Sequence, residues 1–522
     1  MCGIAVAIDW EGAVAAVRTL MAGIEHRGDV SDPVFAPRSN TAMATRRLRI
    51  VDVDRAVQPQ LSFDGRLAVS FNGEIYNHAE LRRELEALGV PFRTESDTEV
   101  LANALQVWGA KALARLNGMF AFVALDLASG EFLAARDPFG VKPLYVMQSE
   151  TGFLFCSEIR PLLAASESGD VLKLPPGYML TRKICAGYRH PLRGPFEGRT
   201  PGNARALDAL LSEAVRIRLP QGLPVATQLS GGIDSTLVAH YARRHRSEAP
   251  AYHLGSATDL PFVVQYASLS GIELRHVPFD LDSDESFALI PQVVAASESF
   301  EPSVIRGAVC SWKVSEAMHR DGYRVALCGD GADEIFAGYA ALEYALAADA
   351  ETGRAARQDC IDSLNATCLQ RIDRCGMRFS LEIREPFLDP SVAAYGLDLA
   401  PHALVDQRGG APVGKKALRA LYDLYPRELP RSIRDRRKLA FDRGAGLGRG
   451  WEAFFEQAIS DRDYRDGARE FAAFDMQSKE ELFNIRVLAT AMDINRVPHL
   501  KGRARLALPI ALPEHALDRV VA

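Results

Sequence analysis

A change of hydrophobic pattern near residue 195 constrains the fold of this chain more than any other feature. Residues 192–204, LRGPFEGRTPGNA, are rich in glycine, proline and polar side chains and show no periodicity. Such segments connect folded units. The chain has 522 residues, and a single core stops growing at about 250 to 300 residues. We therefore predict two domains, residues 2–195 and 207–522, joined by a linker at 196–206.

The first predicted domain combines many short strands with helices. Apolar runs such as GIAVAI, RLAVSFNG and FAFVALD alternate with turn residues at a spacing typical of strands. Two stretches, 13–25 and 79–88, carry helical periodicity instead, and the second places Leu81, Leu85 and Leu88 on one face. The pattern predicts sheets covered by helices.

The second predicted domain begins with a helical pattern at Leu207 and then alternates strands with amphipathic stretches. The segments LPVATQLSGG, PAYHLGS, LRHVPFD and YRVALCGDG each indicate a short buried strand. Strands that alternate with helices in this way are typical of a parallel α/β sheet. Beyond Tyr339 the pattern is mostly helical, and we expect this part to pack over the α/β core.

Composition excludes several classes of function. A net charge of −6 gives no basic surface for nucleic acid, and no run approaches the ~18 apolar residues of a membrane span. The segment after the first methionine is too short and polar for a secretory signal, so we expect a cytoplasmic protein. Eight scattered cysteines, with no C-x-x-C pair, argue against disulfides and structural zinc.

A cysteine at position 2 is a candidate nucleophile. Removal of Met1 would leave Cys2 with a free α-amine beside its thiol. An α-amine has an ordinary pKa of about 7.7 to 8.0, so it can accept the thiol proton near neutral pH without a separate histidine. A cysteine at this position is more often incidental, and its interpretation depends on the residues that follow.

The segment FNGEIYNH, residues 71–78, supplies that context. A strand here runs into an Asn-Gly pair, in which Gly73 permits close backbone approach and Asn72 offers a side-chain amide. Donors fixed where negative charge develops contribute about 2.7 to 4 kcal/mol each to catalysis. Asn72 and Gly73 are therefore candidates for an oxyanion hole, and the alternative is a plain hairpin turn.

A second constellation, QLSGGIDSTLVA at residues 228–239, indicates a phosphate site. An apolar strand meets a Ser-Gly-Gly turn and then a helix that begins near Asp234, so backbone amides would surround a phosphate. The loop lacks the lysine of a Walker A sequence, which leaves phosphate charge to Mg²⁺ and to cations elsewhere. Lys438, in RRKLAF, is our candidate cation.

A third motif, CGDGADEIFAGY at residues 328–339, places carboxylates just past an apolar strand. Open α/β sheets bind ligands at this edge, so Asp330, Asp333 and Glu334 fit Mg²⁺ and acceptor chemistry. Carboxylates in a glycine-rich turn also serve as helix caps, and for Asp333 both roles can coexist.

Several segments of the first half resemble the glutaminase domain of class II amidotransferases. They are MCGIAV, HRG, RLRIVD, FNGEIYNH, SDTEV and RDPFGVKPLY. The resemblance implies that Cys2 is the nucleophile, that Asn72 and Gly73 form the oxyanion hole, and that Arg47 holds the glutamine carboxylate. It also implies that Glu74 and Asp97 hold the substrate amine. The family usually has His-Arg-Gly-Pro-Asp where this chain has HRGDV at 26–30, so closure of that loop over glutamine is an open point.

The second half resembles enzymes that split ATP into AMP and pyrophosphate. Four further segments of this half contribute to the resemblance: ESFEPSVIR, LEIREPFLD, GKKALRALYDLYP and RSIRDRRKLAF. With the two halves in this order, the chain resembles glutamine-hydrolysing asparagine synthetases. The resemblance implies an Ntn-hydrolase-like αββα sandwich followed by a parallel α/β ATP-pyrophosphatase domain with added helices. It implies an ATP site formed by Leu229, Ser230, Gly231, Gly232, Asp234, Ser235, Gly329 and Lys438.

The same resemblance implies ATP and Mg²⁺ as cofactors, with Asp234 and Asp333 as metal ligands. Glutamine would supply ammonia at Cys2, and ATP would adenylate a small carboxylate that ammonia then attacks. Asp330 would take the surplus proton. These synthetases often have glutamate at the Asp330 position, so this residue does not identify the acceptor. If the acceptor is aspartate, Arg306 matches the position of a cation near its carboxylate.

Several functions remain open at this stage. Asparagine synthesis from aspartate is our first hypothesis, and a tailoring enzyme that amidates another carboxylate or delivers another nitrogen nucleophile is close to it. A β-lactam synthetase-like ligase with an inactive glutaminase domain, or a regulatory protein without turnover, conflicts with the intact Cys2 and SGGIDS. No association element is visible, and a homodimer is the default expectation.

Overall fold

The computed structural model describes residues 2–52, 55–190, 192, 196, 198–255, 258–408, 411–436 and 447–501. The first half forms two sheets, and the second half forms one parallel sheet surrounded by helices. Lys438 lies outside the described residues. Among the described helices, none is both long and apolar enough to cross a membrane.

The first sheet carries Cys2 on a central strand. Its strands are β1 (Cys2–Ile8), β2 (Val30–Ser31), β3 (Phe35–Arg38), β4 (Thr41–Arg47), β9 (Tyr145–Gln148), β10 (Phe153–Cys156) and β11 (Val171–Lys173). Their order is β11-β9-β10-β1-β4-β2, with β3 also paired to β4, and the pairs are antiparallel. The register places Cys2 opposite Arg47.

The second sheet carries the Asn-Gly pair. Its strands are β5 (Gln60–Leu61), β6 (Leu67–Ile75), β7 (Gly118–Asp126), β8 (Phe132–Arg136), β12 (Tyr178–Leu180) and β13 (Cys185–Gly187). The order is β13-β12-β8-β7-β6-β5. Alternate residues of both sheets, among them Ile4, Val6, Ala121, Val123 and Phe155, meet in a core between the sheets.

Helices cover the outer faces of both sheets, as the sequence pattern predicts. Helices α1 (Ala13–Gly23) and α4 (Ile159–Ala165) pack on the first sheet, and α2 (His78–Ala87) and α3 (Asp97–Trp108) cover the second. The predicted bounds of α1 and α2 agree with the structure to within two residues. The sequence pattern missed α3, because Asp97 to Leu105 are buried throughout and show no amphipathic contrast.

The parallel sheet of the second half confirms four predicted strands and adds a fifth. Its strands are β14 (Val225–Gln228), β15 (Ala251–Leu254), β16 (Leu274–Val277), β17 (Val325–Leu327) and β18 (Glu382–Arg384), in the order β16-β15-β14-β17-β18. All neighbouring pairs are parallel. The sequence of β18 gives no apolar run, because the charged residues Glu382 and Arg384 flank its single apolar residue, Ile383.

Helices surround this sheet and form most of the chain beyond Tyr339, as expected. Helix α5 begins at Ala204, three residues before the predicted start, because the Asn203 side chain accepts hydrogen bonds from Arg205 N and Ala206 N. The others are α6 (Ile233–His245), α7 (Leu260–Ser270), α8 (Asp284–Ser297), α9 (Pro302–Arg320), α10 (Ala332–Phe336), α11 (Ala340–Ala348), α12 (Ala350–Leu364), α13 (Cys368–Met377), α14 (Pro390–Leu397), α15 (Pro401–Leu404), α16 (Lys416–Tyr422), α17 (Arg431–Asp435), α18 (Arg449–Ala458), α19 (Asp461–Glu470) and α20 (Lys479–Ala491). A hairpin of β19 (Asp406–Arg408) and β20 (Ala411–Val413) precedes α16.

Candidate active sites

Cys2 lies at the start of β1 in a buried position next to the Asn72 side chain. Its backbone nitrogen, which would become the α-amine after removal of Met1, donates to Asn72 Oδ1 at 2.9 Å. Burial raises the pKa of the Cys2 thiol to about 11. The buried thiol is therefore protonated at neutral pH and needs a base to act as a nucleophile, and the α-amine is the nearest one the sequence offers.

Asn72 and Gly73 lie side by side on β6. Asn72 is fully buried, and its Nδ2 has no hydrogen-bond partner among the described residues. Gly73 adopts φ 155°, and a Cβ on it would come within 2.1 Å of the Met119 carbonyl oxygen. A buried donor left without a partner is costly unless a ligand completes it. The geometry thus offers the Asn72 amide to a negatively charged oxygen.

Arg47 presents a cation to the pocket around Cys2. Its Nε donates to Asp32 Oδ2 at 3.1 Å, while Nη1 is buried without a partner in the described structure. Asp32 thus fixes the guanidinium and leaves one nitrogen to bind. A guanidinium held in this way suits a substrate carboxylate.

Two buried carboxylates, Glu74 and Asp97, also line the pocket around Cys2. Glu74 is paired with Arg384 of β18 at 3.0 Å, and Asp97 Oδ2 accepts from Ile75 N at 3.0 Å. Burial raises the pKa of both carboxyl groups. At Glu74 the positive charge of Arg384 opposes this rise. Together with Cys2, Arg47 and Gly73, they line a pocket of about 380 Å³, including open space, which suits a small amino acid.

Glu382 of β18 lines this pocket as well, although it belongs to the second half of the chain. The sequence reasoning missed it because nothing in LEIREPFLD points to the first half. The proximity follows from the packing of the halves, in which Arg384 pairs with Glu382 at 2.6 Å and with Glu74.

Asp29 anchors the HRGDV loop. Asp29 pairs with Arg49 at 3.0 Å and with Arg324 of the second half at 3.3 Å. A Cβ on Gly28 would lie 2.5 Å from the Arg47 backbone, so the loop sits tightly against β4. In this chain an aspartate with two arginine partners thus anchors the loop at the position following Gly28.

The SGGIDS segment forms a turn between β14 and α6. Ser230 N donates to Ser235 Oγ at 3.1 Å, and Gly231 adopts φ 74°, a conformation that favours glycine. Gly232 caps the N-terminus of α6, and Asp234 lies in its first turn. Backbone amides and the helix dipole therefore face the carboxyl end of the sheet, as a phosphate site requires.

A second, larger cleft lies at this edge of the sheet, with a volume of about 1070 Å³ including open space. Most of the residues predicted for the ATP and metal sites line it. They are Leu229, Ser230, Gly232, Asp234, Ser235, Gly329, Asp330 and Asp333. Gly231 shapes the turn without lining the cleft.

Lys415 is a cation of this cleft that the sequence motifs did not predict. Its Nζ contacts the carboxylates of both Asp234 and Asp333, the latter at 2.5 Å. Gly414 before it is tightly enclosed, since a Cβ there would overlap the Ala337 carbonyl oxygen. The GKK sequence is part of the family resemblance, and a local motif of this kind does not indicate that Lys415 reaches these two aspartates.

Asp234 and Asp333 also fit a magnesium ion by their chemistry. Both are hard oxygen donors, and their shared contact with the Lys415 ammonium demonstrates that this place favours a cation. Within the described ranges, no three His, Cys, Asp or Glu side chains form a metal-binding group. Magnesium is often held by only one or two carboxylates together with substrate phosphates. Such a site needs the two aspartates and no third protein ligand.

Comparison with known proteins finds a family for each half of the chain. Residues 1–176 match the glutamine amidotransferase domain family, and residues 206–359 and 345–492 match the asparagine synthase family. The chain belongs to the asparagine synthase family. Similar proteins include an asparagine synthetase [glutamine-hydrolyzing] of Triphysaria versicolor, 31% identical over 84% of this chain and 75% of that protein.

Two further relatives extend over almost the whole chain. A probable asparagine synthetase [glutamine-hydrolyzing] of Schizosaccharomyces pombe (strain 972 / ATCC 24843) is 30% identical over 94% of this chain and 93% of its own length. The corresponding protein of Dictyostelium discoideum is 28% identical over 89% of both. The order of the two halves is thus shared with this asparagine synthase family.

Arg306, the residue predicted to lie near the carboxylate of an aspartate acceptor, pairs with Glu480. Arg306 Nε donates to Glu480 Oε1 at 3.1 Å, and that carboxylate also accepts from Trp451 Nε1 at 3.0 Å. Arg306 does not line the cleft, whereas Arg371 does and pairs with Asp330 at 2.8 Å. The cation beside Asp330 is therefore Arg371.

Proposed function

We propose that this protein is a glutamine-dependent, ATP-consuming amidotransferase that converts aspartate to asparagine. One observation carries the proposal: a single chain holds a small pocket around Cys2 and a larger cleft around the SGGIDS loop. The first suits release of ammonia from glutamine, and the second suits activation of a carboxylate by ATP. The two half-reactions together make an amide.

In the small pocket, the α-amine of Cys2 would take the thiol proton, and sulfur would attack the glutamine amide carbon. Asn72 Nδ2 and the Gly73 backbone would stabilise the oxyanion, and Arg47 would hold the substrate carboxylate. Glu74 and Asp97 would bind the substrate amine. Ammonia would leave as the glutamyl thioester forms, and water would then release glutamate.

In the larger cleft, Ser230 to Ser235 would hold the ATP phosphates at the N-terminus of α6. Asp234 and Asp333 would hold Mg²⁺, which supplies charge neutralisation at the phosphates when bound. Lys415 provides a further cation there. The acceptor carboxylate would attack the α-phosphate to give an acyl-adenylate and pyrophosphate. Ammonia would then displace AMP, and Asp330 would take the proton released.

The fold supports the same division of labour. We propose that residues 2–195 form an Ntn-hydrolase-like αββα sandwich and residues 207–522 an ATP-pyrophosphatase domain, with 196–206 between them. The helix–sheet–sheet–helix layering of the first half and the parallel sheet of the second support this.

A second candidate is amidation of a different small carboxylate. The observation in its favour is the position of Arg306, which pairs with Glu480 instead of lining the cleft. An acceptor other than aspartate would then be bound by Arg371 and its neighbours. Both candidates share the chemistry at Cys2 and at the SGGIDS loop.

The test is product analysis with purified protein, glutamine, ATP and Mg²⁺ across a panel of small carboxylates. We expect glutamate, AMP, pyrophosphate and asparagine when aspartate is present. An amide from another carboxylate alone would favour the second candidate. Absence of acceptor-dependent AMP across the panel would rule out both.

A Cys2→Ala variant separates the two half-reactions. Because only the thiol step is removed, we expect this variant to lose synthesis from glutamine and to keep synthesis from added ammonium. If the variant lost both activities, Cys2 would not act in glutamine hydrolysis only.

A further inference from the structure

Glu385 follows β18, a strand that borders residues of both pockets. Glu382, three residues earlier, lines the small pocket around Cys2. On the neighbouring strand, Leu327 pairs with Arg384, and Cys328 N donates to Arg384 O at 3.1 Å. Cys328 and Asp330 line the larger cleft. The end of β18 therefore connects the place where ammonia is released with the place where it is used.

Glu385 is a buried carboxylate that pairs with no described residue. It is 3% exposed, and it forms neither an ion pair nor a side-chain hydrogen bond in the described part of the chain. The charged groups that act on it are Lys142 and Asp137 of the first half, Asp330 beyond β17, and Arg218 beyond α5. A lone buried charge is costly, so a carboxylate in this position needs either a proton or a polar ligand.

Lys142 faces Glu385 from the first half without touching it. The Lys142 side chain is 1% exposed, and no described group lies within ion-pairing distance of its ammonium. Its charge is the strongest that acts on Glu385. Two buried opposite charges that do not contact each other are polar groups that a small polar molecule can satisfy.

The hydroxyl of Tyr76 is a third polar group of this region without a partner. It is buried and forms no hydrogen bond with any described residue. Burial raises the pKa of Tyr76, and Glu385 is among the charges that add to the effect. The guanidinium groups of Arg218 and Arg384 lie 4.2 and 5.6 Å from the centre of its ring. Glu385, Lys142 and Tyr76 are thus three buried side chains, from both halves of the chain, without a polar partner among the described residues.

We propose that Glu385 accepts a proton from ammonium between the two pockets, so that neutral ammonia enters the synthetase cleft. The step rests on the proposed function. An N–H bond of ammonium breaks and an O–H bond forms on Glu385, which becomes a neutral carboxylic acid. The nitrogen lone pair, now free, attacks the activated carboxyl carbon. That attack releases a second proton, which goes to Asp330, and the proton on Glu385 returns to solvent.

The surroundings of Glu385 and Asp330 suit the two different proton transfers proposed for them. Asp330 is paired with Arg371 at 2.8 Å, next to the open cleft. Glu385 has no such partner, and burial raises its pKa to about 8, with Lys142 opposing the shift and Asp330 adding to it. A base is most effective when its pKa lies near the working pH. Glu385 therefore suits the removal of a proton from ammonium.

The test compares Glu385→Gln with the natural protein and with Glu385→Asp, which keeps a carboxylate. Amide formation from aspartate and ammonium chloride is measured at pH 7 and pH 9. For Glu385→Gln we expect a ~10²-fold loss of kcat/KM for ammonium at pH 7. The loss should shrink at pH 9, because the solution then supplies neutral ammonia. Glu385→Asp should retain part of the rate.

Two partial reactions serve as controls on the same proteins. Release of glutamate from glutamine and aspartate-dependent ATP–pyrophosphate exchange should both be unchanged in Glu385→Gln. Three results for Glu385→Gln would overturn the role of Glu385. They are a rate with ammonium at pH 7 equal to that of the natural protein, an equal loss of rate at both pH values, and loss of the exchange reaction. If the natural protein itself forms no amide from any carboxylate, the proposed function fails instead.

Thermal unfolding gives a readout that does not depend on activity. A carboxyl group whose pKa is raised on folding stabilises the protein fully below its unfolded pKa, and this contribution is lost as the pH rises to the folded value. For Glu385 the loss falls between the ordinary pKa of about 4.3 and about 8. Glu385→Gln should therefore raise Tm relative to the natural protein at pH 9 and not at pH 5. An equal difference at both pH values would contradict a raised pKa.

Discussion

At the scale of single residues, the pocket around Cys2 depends on groups that are buried and incomplete. Asn72 Nδ2 and Arg47 Nη1 each lack a partner in the described structure, although neither contacts bulk water. Each such group weakens the folded state unless something binds to it. Arg47 lines the pocket, and Asn72 adjoins it through its hydrogen bond with Cys2 N, so these two donors suit an anionic or carbonyl-bearing molecule.

Gly73→Ala is a test of the oxyanion hole. Its Cβ would come within 2.1 Å of the Met119 carbonyl oxygen, so β6 must move away from β7 at this point. Since loss of one oxyanion donor costs about 10² to 10³ in kcat, we expect a loss of that order in glutamate release. Synthesis from added ammonium should persist, because the synthetase cleft is not changed.

Gly65→Ala is the matched control for that prediction. Gly65 also has a positive φ, 73°, but a Cβ there meets nothing within 4 Å. We expect a small loss of stability, on the order of 1 kcal/mol, and no change in glutamate release. Equal glutaminase rates for the two alanine variants would argue against a role for Gly73 in the oxyanion hole.

At the scale of elements, helix α13 links the two sites. Arg371 on this helix pairs with Asp330 at the cleft, and Asp373 forms two hydrogen bonds of 2.9 Å with Arg27 of the first half. Arg27 is fully buried and its Nε donates to the Cys2 carbonyl oxygen at 3.1 Å. A shift of α13 would therefore act on the residue beside Asp330 and on the backbone of Cys2.

Asp373→Asn tests this link. The change leaves the buried Arg27 guanidinium with one carboxylate partner, Glu158 at 3.0 Å. Breaking a buried pair costs about 3 kcal/mol. We expect a lower Tm and a lower rate of glutamate release, because Cys2 loses part of its support. The measurements are thermal unfolding and glutaminase kinetics on the full chain.

Glu456→Gln provides the comparison for an exposed pair. Glu456 is 65% exposed and pairs with Lys479 at 2.5 Å, and Lys479 also contacts Asp461. Exposed pairs contribute at most about 1 kcal/mol, so neither Tm nor activity should change noticeably. If Asp373→Asn behaves like Glu456→Gln, α13 does not support the site around Cys2.

The role of α13 could not be predicted from the sequence. Its charged residues Asp373 and Arg374 would normally be assigned to a solvent-facing side, yet both are buried. Their partners, Arg27 and Glu158, lie more than two hundred residues away and belong to the other half of the chain. Local patterns report which face of a helix is apolar, and they carry no information about charges that are neutralised across an interface.

At the scale of the whole molecule, each half was predictable and their contact was not. The strands β14 to β17 and the helices α1 and α2 follow from local hydrophobic patterns, whereas α3 and α4 do not. The residues around Cys2 and the SGGIDS loop also follow from local motifs. By contrast, Glu382, Arg384 and Glu385 act in or near the first half only because β18 packs against it. Contacts of this kind become visible only in three dimensions.

Arg384→Gln tests whether the second half completes the glutamine pocket. Arg384 pairs with Glu74 at 3.0 Å and with Glu382 at 2.6 Å, so its removal leaves two buried carboxylates without their shared cation. Burial already raises the pKa of Glu74, and Arg384 opposes that rise. Without Arg384 the pKa should rise further, and the ionised form that binds the glutamine amine should appear only at higher pH.

The expected result is a shift of the pH profile of glutaminase kcat/KM to higher pH, with a raised KM for glutamine at pH 7. Synthesis from ammonium at the other cleft reports whether the variant is folded. Arg66→Gln is the control, because Arg66 is 55% exposed and its one ion-pair partner among the described residues, Asp126, lies on the same sheet. An unchanged pH profile in Arg384→Gln would mean that the first half binds glutamine without help from the second. A shift confined to Arg384→Gln would establish that one half sets the ionisation of a substrate ligand in the other.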